Sequence, residues 1–249
     1  MWLMSAVVLG CLALCVALRR RPAARTIVGA LAWMLGIAYF AVELPAVAAS
    51  AAPYDLLVQP MSDLGVTTCG TGTYPLADYA ICSPWHDAVN WAFLLSGLVV
   101  ALGAWCLHPV GARPGAHRSR RSILAATLLV TWGLSMASSG LFPADTHFWT
   151  HTLLAVPGMV VHIPALLVLR AALRDARPGL ARWTGICATV SIATLTGVVA
   201  APLVPGLGEL GGLLQRLLYA VVWVWTLGVA AATAVTAARS AGAQHGRGT

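Results

Sequence analysis

Asp145, His147 and His151 fall within seven residues of the stretch GLFPADTHFWTH, between two long apolar runs, and imidazoles at that spacing are suited to metal chemistry. If the following helix begins a turn early, the two histidines share one face, and a pair at i and i+4 can grip one ion. A third ligand from His86, Asp63 or Asp145 would leave an open position for water, the arrangement of a catalytic zinc site. A divalent transition metal such as zinc would then lower the pKa of that water, with Asp63 or Asp145 as base or orienting group. No HExxH stretch completes such a motif. In a metal-free variant, Glu43 or Asp63 acts as the proton donor of an isoprenoid cyclase. His86 and Asn90 are also four apart, at the start of another apolar run, so they share a face and Asn90 reads as a ligand-binding residue. His162 returns to the face of His151 but lies roughly 16 Å deeper, so it reads as a separate intramembrane ligand-binding or packing residue. The structural alternative for the acids is that Asp63 marks a turn and Asp145 caps a helix.

The elements that must hold these residues follow from composition. Of 249 residues, 59% are hydrophobic and 9% charged, with a mean hydropathy of +0.81, far from the roughly one-quarter charged content of soluble domains. The expectation is an all-α polytopic transmembrane helical bundle forming a single domain over 1–249. A spanning helix needs about 20 apolar residues, and seven segments approach that length: 1–18, 26–47, 88–107, 122–142, 150–173, 184–203 and 211–238. The net charge of +7 comes with fifteen arginines scattered in short clusters between these runs, which argues against a nucleic-acid partner. Read by the positive-inside rule, the clusters put the N-terminus outside and the C-terminus in the cytoplasm. Fourteen arginines then fall in or beside inner loops, Arg216 is left outside, and Asp175 is the lone inner acid. Trp85 and Trp149 mark the outer interface, Trp105 and Trp183 the inner one. His108, His117 and His245 read as solvated inner residues. Gly133 and Ala137, four apart and followed by serines, predict a close helix–helix approach.

The longest polar stretch, about 48–86, becomes an extracytoplasmic loop. Cys69 and Cys82 both lie in it, on the oxidising side, so a disulfide is expected between them. Cys11, Cys15, Cys106 and Cys187 lie within spans and read as small apolar residues. The segments YDLLVQPMSDLG (54–65), ICSPWHDAVN (81–90) and GLFPAD (140–145) resemble, in their order, bacterial membrane proteins of the domain-of-unknown-function family numbered 998. The resemblance covers roughly 26–237 and implies a six-helix core, with the first helix an addition, and no established activity. The functional expectation is a multi-pass protein of the cell membrane with an outward-facing His/Asp site that binds or processes a lipid-like ligand. Hydrolase or transferase, isoprenoid cyclase, transporter and envelope assembly partner stand as alternatives.

Overall fold

The computed structural model describes residues 2–107 and 120–245, with side chains to residue 236, so His108 and His117 lie outside the described residues. Nine helices carry the chain among those residues: α1 (Trp2–Leu18), α2 (Pro22–Leu35), α3 (Tyr39–Ala48), α4 (His86–Leu107), α5 (Arg120–Leu141), α6 (Phe148–Val160), α7 (His162–Leu173), α8 (Pro178–Ala200) and α9 (Gly211–His245). They make six spans long and apolar enough to cross a membrane, because α2 with α3 and α6 with α7 each form one interrupted span. The N-terminal helix α1 has 17 residues and falls short of that length. It packs mainly on α4, outside the other six. The predicted boundaries hold within a few residues except at the end of α9, which runs to His245 rather than 238, and at α8, which starts at Pro178 rather than near 184. Proline is pre-organised for a first helical position, and the long side chain of Arg182 reaches water from inside a helix end, so the arginine does not delay the start.

Each span packs on its sequence neighbours, and the last closes on the first through α2 and α9. The result is a ring of six helices filled by side chains. The tightest crossing is α4 on α5. A Cβ on Gly97 would lie 2.3 Å from the Gly133 carbonyl, and one on Gly133 would lie 2.5 Å from that of Gly97. Gly133 and Ala137 therefore do what their spacing predicts, and packing of small residues replaces the hydrophobic drive that lipid removes.

Both interrupted spans break where polar or aromatic side chains intrude. In the first, a 3-10 turn at Gly36–Ala38 lies against Trp223, which leaves 2.9 Å to a Cβ on Gly36. In the fourth, the Ser135 hydroxyl of α5 enters the helical ladder: it accepts from the Gly158 amide at 2.8 Å and donates to the Leu154 carbonyl at 2.5 Å. With Pro157 one residue earlier, this insertion loosens the helix and it breaks at Val161. Inside the ring, Tyr39, Phe93, Trp132, Tyr219 and Trp223 pack ring on ring at about this level.

Candidate functional site

The segment between α3 and α4 is not a loose loop. Its SDLG motif folds as a 3-10 turn over Met61–Gly65, and the carboxylate of its acid and its last two carbonyls are fastened. Asp63 is fully buried and accepts from Tyr74 Oη at 2.5 Å and from Tyr79 Oη at 2.7 Å. The Leu64 carbonyl accepts from Ser83 Oγ at 2.8 Å, and the Gly65 carbonyl accepts from Asn90 Nδ2 at 2.9 Å. A Cβ on Gly65 would meet Asn90 Oδ1 at 2.4 Å, so the motif ends on the residue type that fits. Burial raises the Asp63 carboxyl above its ordinary 3.8, against the lowering by the tyrosine hydroxyls and the Arg216 charge.

Beyond the turn, Gly70–Thr71 and Ala80–Ile81 form a short antiparallel hairpin, and the expected disulfide joins Cys69 to Cys82 beside it. Replacing both cysteines by serine is expected to destabilise the protein by about 3 kcal/mol, the loop-closure entropy of a ring this size. The check is thermal unfolding in detergent with and without reductant: reductant should lower the wild-type midpoint to that of the variant and leave the variant unmoved.

Asp145 does not cap the following helix. The N-cap position of α6 is His147, without a side-chain bond, while Asp145 reaches across to the loop. Its Oδ2 accepts from the amides of Thr67 and Thr68 at 3.0 and 3.1 Å and from their hydroxyls at 2.7 and 3.1 Å. A carboxylate makes charge-assisted bonds with the donors it reaches. Gly140 of the same GLFPAD stretch lets α5 press on α4, since a Cβ there would fall 2.1 Å from the Asn90 carbonyl.

The metal expectation for His86, His147 and His151 is not met. Among the described residues no three His, Cys, Asp or Glu side chains gather closely enough to share an ion. His147 sits before the helix with φ −140°, exposed, its ring edge-on to Phe142, so it does not share a helical face with His151. His86 Nδ1 lies 2.9 Å from the Ser83 carbonyl and its Nε2 is 3.6 Å from Asp87. His151 Nδ1 lies 2.8 Å from the Phe142 carbonyl. A carbonyl only accepts, so Nδ1 of His151 carries the proton and Nε2 of the neutral ring is an acceptor.

Glu43, the third candidate acid, is almost fully buried and pairs with Arg216: Nε to Oε1 is 3.0 Å. Tyr39 Oη stands 3.5 Å from the same oxygen. The guanidinium also donates to the carbonyls of Leu56, Gln59 and Gly212 at 2.8–3.0 Å and to Tyr54 Oη at 2.5 Å. One side chain of α9 thus ties the segment between α3 and α4 to α3. Sequence reasoning did not assign Arg216 a role, although its standing alone on the acidic side was the signal: a cation in that place needs an acid partner.

Beneath the fastened turn is a cavity of about 20 Å³, lined by Ser62 and Met61 of the turn, Ser139, His151, Gln215 and Tyr219, with apolar side chains between them. That is room for one water-sized group. Gln215 is held in place because its Oε1 accepts from the Met61 amide at 2.8 Å. No charged side chain borders the cavity. Deeper, His162 opens α7 just after the break, with no exposed surface, and neither ring nitrogen has a well-formed hydrogen bond; the Gly158 carbonyl one turn back is only an electrostatic neighbour. His162 does not border the cavity.

No curated protein and no solved structure matches this chain. Residues 34–232 match a family described as protein of unknown function (DUF998), a span that begins inside the first ring helix and leaves α1 out. With four-fifths of its length so matched, the chain belongs to that family.

Proposed function

We propose that this multi-pass protein resides in the cell membrane, N-terminus outward, and binds the uncharged polar head of a lipid-like molecule in the cavity under its docked outer loop. The observation that carries this reading is the lining itself: three hydroxyls, a carboxamide and an imidazole acceptor converge on a space for one hydroxyl-sized group, with no charge nearby. Such a set favours an alcohol or carbonyl over a phosphate or carboxylate, because an anion there would lose its hydration without a cation to replace it. A place for the tail lies next to it. Leu35, Ala38, Tyr39, Val42, Leu95 and Val99 border an apolar groove of about 310 Å³, and Tyr39 packs on Phe93, which borders the cavity, with 4.9 Å between ring centroids. An isoprenoid alcohol has this chemistry.

The test is mass spectrometry of solvent extracts from protein purified in mild detergent. Wild type is expected to carry a near-stoichiometric long-chain alcohol or ketone. The His151→Phe and Gln215→Leu variants, which fill the cavity and remove its polar atoms, are expected to lose most of it. Equal ligand in wild type and both variants would refute the site.

A further inference from the structure

At the opposite end of the ring from the docked loop, α7 and α8 diverge around an open groove of about 510 Å³, bordered by Arg170, Arg174, Arg182, Gly185, Ile186 and Val190. We infer that this groove is a binding site for one anionic phospholipid, its phosphate held by the three arginines and one acyl chain laid along α8. The inference is independent of the cavity under the loop.

Three observations carry it. First, the charges are uncompensated. The ion pairs among the described residues are His86 with Asp87 and Arg216 with Glu43, and neither uses these arginines. All three are exposed. Guanidinium groups at i and i+4, in the last turn of α7 and at its C-cap, with a third on α8 bordering the same groove, form the planar-donor set that grips phosphate oxygens in pairs.

Second, the groove changes character with depth as a phospholipid does. Arg182, Ile186 and Val190 follow at i, i+4 and i+8 along one face of α8, about 12 Å from head to tail level. Ile186 is 51% exposed and Val190 42%, and Leu167, one turn deeper than Arg170 on α7, is 43% exposed. A solvated face would not pass from guanidinium to exposed isoleucine and valine within two turns; a face in contact with lipid does. A soluble phosphate would leave that lower half unused, which is why the occupant is a lipid.

Third, the groove floor is made for a guanidinium to lie on. Gly185 is buried, and a Cβ in its place would come within 3.0 Å of Arg170 Nε and 3.3 Å of Cζ. The glycine leaves room for the Arg170 guanidinium to lie against α8 where it borders the groove.

Full-length protein is reconstituted in phosphatidylcholine vesicles containing phosphatidylglycerol, re-extracted in mild detergent and weighed by native mass spectrometry. Wild type is expected to retain one phosphatidylglycerol. The combined Arg170→Gln, Arg174→Gln and Arg182→Gln variant is expected to bind it roughly a hundredfold more weakly. Lysines at the same three positions, which keep the charge but lose the paired planar donors, should restore only part of the binding, and Gly185→Leu, which keeps every charge but fills the floor, should lose it. The Gly185→Leu result decides the matter should the glutamine variant fail to fold. Retention by Gly185→Leu equal to wild type, retention of phosphatidylcholine as strong as of phosphatidylglycerol, or displacement of the lipid by millimolar inorganic phosphate would each overturn the assignment.

Discussion

Arg216→Ala is expected to cost about 3–5 kcal/mol, the usual consequence of removing one partner of a buried ion pair. The reason is what remains behind. Glu43 is 2% exposed and would keep a charge with only Tyr39 Oη beside it, and the carbonyls of Leu56 and Gln59 would lose their donor. Glu43→Ala should cost less, because the guanidinium retains its carbonyl acceptors and Tyr54 Oη. In the double variant the orphaned carboxylate is gone, so it should be more stable than the sum of the two singles implies, by at least about 1 kcal/mol of coupling. Thermal unfolding of the four proteins in one detergent measures this cycle. Strict additivity would mean that the pair contributes nothing beyond its separate contacts. Arg216→Ala should also free the 54–60 segment, seen as faster hydrogen exchange of its amides.

Asp63→Ala ranks second. It strips two tyrosine hydroxyls of their acceptor inside a packed loop, at about 1–3 kcal/mol for each group left unsatisfied. Tyr74 is 8% exposed and stacks on Phe148 of α6, so its displacement should disturb the α6 start as well as the loop. The pH dependence distinguishes the carboxyl from a mere spacer. Because burial raises its pKa from 3.8, the folded state holds the Asp63 proton more tightly than the unfolded chain does. The stabilisation from this group is therefore complete below the unfolded value and fades as pH rises through the raised one. Asp63→Asn has no proton to lose. The stability difference, wild type minus Asp63→Asn, should shrink with rising pH across that window, and a difference that grows instead would show the carboxylate to be the stabilised form.

These expectations recast the residues that looked catalytic. Glu43, Asp63 and Asp145 attracted attention because acids in a greasy chain are costly and should be kept for a purpose. In the structure each is the acceptor of a different fastener: Glu43 meets Arg216 of α9, Asp145 ties the α5–α6 connection to Thr67 and Thr68, and Asp63 holds the segment between α3 and α4 together from within. The three motifs that carry the family resemblance are the parts of that apparatus. SDLG supplies the turn, Asn90 and Ser83 hold its carbonyls, and GLFPAD supplies the Asp145 that collects Thr67 and Thr68. The cavity of the proposed function exists because the turn is held there.

What the sequence determined by itself is whatever depends on transfer from water to lipid, a cost each segment meets on its own. Six of the seven expected spans, the Cys69–Cys82 bond and the close α4–α5 approach at Gly133 and Ala137 were legible, since length, hydropathy, compartment and residue size are local quantities, while the N-terminal helix set apart from a six-helix core was what the family resemblance implied. Partnership is not local. Glu43 and Arg216 lie 173 residues apart, Asp145 and Thr67 78 apart, and no spacing rule links them. Only the tertiary structure decided that Glu43 would meet arginine and Asp145 loop amides, that His86, His147 and His151 would not gather, and that His151 would border a cavity with Gln215 and Tyr219. The physical reason is that hydropathy says how deep a residue lies, whereas a hydrogen bond also depends on which helix stands beside it and how that helix is turned.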